Sequence, residues 1–121
     1  MQQYKLPKGF DGYLEILNQV FEIEKKANKI QEQNSILRNV NRLKDIFENN
    51  LPFQDNSTGF YVENPIGEDY NETRIDLDAN IAGEGGDNLV VVEVIKPIIR
   101  IKSDGITKLV QKGVVIVESK K

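Results

Sequence analysis

LVVVEVIKPIIRIKSDGITKLVQKGVVIV, residues 89–117, is a β-rich stretch punctuated at Pro97 and at Ser103-Asp104-Gly105. Leu89 to Ile95 reads as a strongly β-branched strand. Pro97 cannot donate to a ladder, so it implies an edge or a bulge. Ile98 to Lys102 and Ile106 to Val110 read as a hairpin around the Asp-Gly turn, and Val114 to Val117 as a closing strand. Upstream, Gly83 to Asn88 is a loop. Arg74 to Ala82 alternates, with Ile75, Leu77, Ala79 and Ile81 on one face and Asp76, Asp78 and Asn80 on a wet face. Phe60 and Val62 predict a first strand, ended by the Pro65-Ile66-Gly67 turn, and Gln54 to Thr58 a polar loop.

Before that loop the periodicity changes to helical. Tyr13, Ile16, Val20, Ile23, Ala27, Ile30, Asn34 and Leu37 recur with alternating gaps of three and four, an a/d seam. Asp11 is the expected N-cap. A helix with one narrow apolar stripe needs a partner, so these eight residues are the expected dimer interface. Asn34 has two readings: a buried register-fixing Asn, or the frayed end of the seam. Ile36, Val40, Leu43, Ile46 and Phe47 make a second stripe over Ser35 to Asn49, either a second helix or a continuation after a stutter. Pro52 ends it. The expected fold class is therefore α+β: a long coiled-coil-type helix and a second amphipathic helix, then a small, mainly antiparallel β domain. Residues 1–52 form the expected dimerisation stalk and 53–121 the β domain.

Composition narrows function. The 121 residues carry a formal net charge of -3, which favours neither nucleic acid nor an anionic membrane as partner. There is no cysteine and no histidine, so disulfides, thiolate metal sites and the commonest general base are excluded. Apolar runs of at most four residues and a polar start after Met1 predict a cytoplasmic protein with no signal or span; the sequons at Asn56 and Asn71 then have no glycosylation role. Asp76, Asp78 and Asn80 have calcium-loop spacing, but Ile81 stands where an EF-hand needs Gly and Asp87 where it needs Glu. Gly83, Gly85 and Gly86 lack the Lys-Ser/Thr ending of a phosphate loop. Glu68, Asp69 and Glu72 read as solvated carboxylates, and no serine has a histidine to activate it. No catalytic residue, metal site or cofactor is expected. Phe60 to Asn88 holds eight acidic residues against Arg74 alone, and Leu89 to Lys121 seven basic against three acidic. That asymmetry reads either as neutralisation between neighbouring strands or as a polarised partner surface.

The order of residues in the β half resembles GrpE proteins. Residues 65–71, PIGEDYN, resemble the Gly-x-x-Phe-Asp-Pro stretch that opens that family's β domain; residues 88–95 resemble the strand that follows, and 109–117 the closing strand. Tyr13 to Leu37 resembles a shortened version of the long paired helix, and Leu37 to Asn49 the short bundle helix. The chain departs from the family where Glu72 replaces Pro, where Lys96-Pro97-Ile98-Ile99 replaces a Gly-Tyr turn, and where Gln111-Lys112 replaces Arg-Pro. The resemblance implies a homodimeric co-chaperone that docks a β wing on the ATPase domain of a DnaK-type chaperone and promotes ADP release. Glu68, Tyr70, Asn71, Arg74, Lys96, Arg100 and Lys102 are then the expected partner contacts. From the residues alone a second expectation stands: a coiled-coil oligomeric adaptor whose β domain binds another protein, with edges near Pro97 open to a partner strand. A small enzyme or calcium module is the third.

Overall fold

The computed structural model describes residues 3–6, 10–30, 34–49 and 58–120. Its elements are α1 (Asp11–Ala27), α2 (Asn34–Asn49), β1 (Gly59–Glu63), β2 (Asp69–Tyr70), β3 (Leu77–Ile81), β4 (Leu89–Lys96), β5 (Ile98–Ser103), β6 (Ile106–Gln111) and β7 (Gly113–Ser119). The fold is α+β; among the described residues β3 pairs parallel with β7 and the other strand pairs are antiparallel. The sheets run β1-β5-β6 (sheet A) and β2-β4-β7-β3 (sheet B).

One bent hairpin links the two sheets. β4 runs into β5 with only Pro97 between, and β6 into β7 with only Lys112 between. β4 pairs with β7 in sheet B, and β5 with β6 in sheet A. Both arms turn the corner together. Pro97, buried there, is not at an edge; it interrupts the ladder where the chain changes sheets, with register shifts on either side, so its missing N–H leaves no ladder bond unmade. Register shifts lie in β4, between Val91 and Glu93 and between Val94 and Lys96, and in the β5–β6 pair between Ile99 and Arg100. Gly113 makes the corner on the other arm, since a Cβ there would sit 2.8 Å from Leu77 Cδ2 and 3.0 Å from Ile98 Cγ1. The hairpin tip is the expected Asp-Gly turn, with Asp104 at φ 52° and Gly105 at φ 78°, the left-handed pair that matches strand twist.

Sheet A is the middle layer. Its Ile98 and Leu109 join Leu77, Leu89, Val91, Val94, Val115 and Val117 of sheet B in one core. Its Phe60, Ile99 and Val110 join Leu17 of α1 and Phe47 of α2 in the other. Adjacent residues Ile98 and Ile99 thus serve opposite faces, as strand alternation requires. Phe21 of α1 reaches the inter-sheet core. The Lys25 ammonium donates to the Val94 carbonyl at 2.9 Å, on a strand that β2 covers only at Leu89 and Val90.

This packing corrects the long helix. The chain leaves α1 at Ala27, where Lys29 and Ile30 donate to the carbonyls three residues back, and α2 begins at Asn34. Leu17 and Phe21 lie off the a/d seam, yet they are 1% and 2% exposed. Burying them under the chain's own strands outweighs the heptad. The second amphipathic stripe is a separate helix, α2, folded back on α1 through an edge contact of Tyr13 with Phe47 and an ion pair of Lys44 with Glu24. Asp11 is not the N-cap; Phe10 holds that position without a side-chain cap, and Asp11 opens the first turn as a charge suited to the helix dipole. The expected boundary at 52/53, the stop at Pro52 and most of the loop from Gln54 lie outside the described residues, as does the Asn34 side chain.

Candidate functional site

The residues expected to contact a partner do not form one surface. Arg74 grips the Asp76 carboxylate through two bonds of 3.0 Å and Glu68 through a third. Arg100 reaches Asp76 at 2.9 Å and Glu63 at 3.0 Å. Glu68, Arg74 and Arg100 are therefore members of an internal chain of charges centred on Asp76, which bolts the segment before β3 to β5. The Arg74 bond holds the Asp76 carboxyl below the usual carboxylate range against the opposing cost of burial, with Arg100 adding to it. Asp76 lies before β3 and is not on its wet face; Asp78 and Asn80 are. Ile75 and Ile81 are exposed, and only Leu77 and Ala79 of that stripe meet the core.

Tyr70 packs half-buried against the inter-sheet core. Asn71 accepts from the backbone N–H and the hydroxyl of Thr73, closing a local turn. Lys96 and Lys102 are exposed, but on different sheets. The charge asymmetry takes the first of its two readings at several points: Arg100, Lys112 and Lys120 each meet an acid from the 60–88 stretch, namely Glu63 and Asp76, Asp78, and Asp69.

The expected dimer seam divides. Val20 and Ala27 are buried in the fold, and Tyr13 makes edge contacts with Phe10, Phe47 and Phe60. Leu37 is half-buried. Ile16, Ile23 and Ile30 remain outside, at 48%, 45% and 49% exposure.

What the sequence reading missed is the outer face of sheet B. One face of that sheet packs on sheet A; the other meets no element among the described residues. Across it the register sets Val90 beside Glu118, Glu93 beside Ile116 and Lys96 beside Val114. Asp78 and Asn80 flank Val114 and Ile116 from β3. The two β4 bulges each turn an additional side chain outward, so Val92 joins Glu93 and Ile95 joins Lys96 on this face. Val92 and Ile95 are 41% and 42% exposed, with Val90, Val114 and Ile116 half-buried between them. The result is an apolar strip bordered by both signs of charge. A signal was present: neither 89–92 nor 114–117 alternates, and an unbroken apolar run predicts a strand covered on both faces. Among the described residues the fold covers only one.

Among the described residues no cluster of acidic side chains is placed to hold a metal ion, and no helix is long and apolar enough to cross a membrane. No protein family, curated protein or solved structure matches the chain.

Proposed function

We propose that this chain is a non-catalytic cytoplasmic protein-binding module that docks through the outer face of sheet B, and that its partner is the one the GrpE resemblance implies, the ATPase domain of a DnaK-type chaperone. The observation that carries the docking surface is the apolar strip of Val90, Val92, Ile95, Val114 and Ile116 on a sheet face that no element of the described chain covers. The corner at Pro97 and Gly113 anchors β4 and β7 in the inter-sheet core, so the strip is presented on a rigid wing. Such a wing needs no catalytic residue to release ADP. It binds the open nucleotide cleft better than the closed one, and the population moves by that difference in affinity. Lys96 and Glu93 then supply orienting charges at the border of the strip.

The test is release of a fluorescent ADP analogue from a DnaK-type chaperone. Micromolar protein accelerates release, and Val92→Asp with Ile95→Asp removes the acceleration while leaving the circular dichroism spectrum unchanged. No acceleration by the unsubstituted chain sinks the exchange reading. Acceleration that survives both aspartates moves the docking surface elsewhere. The second reading, an oligomeric adaptor, is favoured by the exposed row Ile16, Ile23 and Ile30, and a partner bound independently of any chaperone supports it.

A further inference from the structure

Ile16 and Ile23 on α1, with Ile30 in the turn that follows, stand in single file on the side of the helix away from Leu17 and Phe21. At 1.5 Å per residue the file is about 21 Å long. Its neighbours are sorted by sign. Asp11, Glu15 and Glu22 lie along its N-terminal part, and Lys26 and Lys29 along its C-terminal part, on one flank of the helix. The opposite flank carries Val20, Ala27 and Glu24, which are taken up by the fold and by Lys44 of α2.

We infer that α1 pairs with α1 of a second copy, antiparallel, about a two-fold axis passing at Ile23. This pairing concerns a different face from the chaperone-docking strip and does not rest on that reading. In this orientation Ile23 meets its own mate, and Ile16 meets Ile30 of the other chain. The charged flanks of the two helices fall on the same side, so Glu15 and Glu22 of each copy come within about 3 Å of the levels of Lys29 and Lys26 of the other; Glu22 also pairs with Lys25 of its own helix at 3.3 Å. An in-register parallel pair would instead put the two charged flanks on opposite sides of the axis, each beside the other copy's flank of Val20, Glu24 and Ala27, and would form none of these opposite-charge pairs. Charge thus selects the antiparallel form, since only there does the acidic part of one flank face the basic part of the other, and complementary charge fixes register. One narrow helical strip covers less than the roughly 1,200–2,000 Å² of a standard stable interface. The dimer is therefore weak, forming at tens to hundreds of micromolar, on the order of what a small contact supports.

Because the chain has no cysteine, single cysteines report the geometry directly. Under mild oxidation Ile23→Cys forms a disulfide-linked dimer. Ile16→Cys alone does not, because the antiparallel pair holds the two copies of that position about 21 Å apart. An equal mixture of Ile16→Cys and Ile30→Cys chains forms the mixed dimer. Sedimentation equilibrium of the unsubstituted chain shows mass rising with concentration, and Ile23→Asp weakens association at least about tenfold with an unchanged far-ultraviolet spectrum. A chain that stays monomeric to about millimolar concentration overturns the pairing. Cross-linking of Ile16→Cys with itself as readily as Ile23→Cys overturns the antiparallel orientation.

Discussion

Asp76→Asn removes one negative charge from the centre of the charge chain while keeping its volume. The carboxylate accepts three guanidinium bonds of 2.9 to 3.0 Å from Arg74 and Arg100. Its side chain is 16% exposed, against 22% for Arg74 and 20% for Arg100. Breaking a fully buried pair costs about 3–5 kcal/mol, and an exposed one contributes about 0–1. Asp76 lies between these limits. Glu68 and Glu63 still hold the two arginines after the substitution, which lowers the penalty further. A loss of about 2 kcal/mol follows, in line with one or two charge-assisted bonds. For a chain of this length that lowers Tm by about 8 °C.

The pH dependence separates this charge from a packing effect. The bonds from Arg74 hold the folded carboxyl below the usual carboxylate range. Its contribution is therefore complete above the unfolded pKa and is lost as the pH falls through the folded one. Urea unfolding at pH 7, 5 and 3 measures it. The gap between the two proteins is constant from pH 7 to 5 and narrows at pH 3. A variant within about 0.5 kcal/mol of the parent at pH 7, the range of an ordinary surface substitution, refutes the reasoning. So does a gap at pH 3 as large as at pH 7.

Two further substitutions probe how helices and sheets are joined. Gly59→Ala places a Cβ 1.9 Å from the backbone oxygen of Glu48, so the end of α2 must lift from β1; urea unfolding shows a loss of about 3 kcal/mol or more. Gly12→Ala is the control: nothing lies within 4 Å of its Cβ, and in the first turn of α1 the change is neutral or stabilising by up to about 1 kcal/mol. Leu17→Ala empties a site that is 1% exposed between α1 and sheet A, and costs about 2–5 kcal/mol. Helix and strand signals then fall in one transition. Loss of helix with the β signals intact would show that α1 is a detachable stalk.

Most of the β half was legible because its determinants are local. Asp104-Gly105 demands positive φ at both positions, so the hairpin tip lies where the dipeptide does. The runs at 89–95 and 114–117 become strands because β-branched side chains suit little else at that length. α2 was legible for a similar reason: Ile36, Val40, Leu43 and Phe47 form one stripe with no competitor. α1 was not. It carries two apolar sets, and periodicity ranks the neat file of Ile16, Ile23 and Ile30 above the irregular pair Leu17 and Phe21. Only the strands brought beneath α1 decide that the pair goes inside.

The candidate surfaces divide in the same way. Arg74 and Arg100 look like free cations in sequence, since Asp76 is separated from Arg100 by all of β3 and β4; tertiary packing brings Arg100 to 2.9 Å from Asp76 and uses the charge of both arginines internally. Conversely, the apolar runs 89–92 and 114–117 look like core on both faces. The fold covers one face with sheet A and leaves the other without a neighbour among the described residues. Sequence by itself set the hairpin tip at Asp104-Gly105, the strand runs at 89–95 and 114–117, the stripe of α2, and the lack of thiol and imidazole side chains, all of which are local to the chain. Which apolar face is covered, and which charge is cancelled, was decided only when distant segments met, because burial and ion pairing depend on distances that the chain order does not contain.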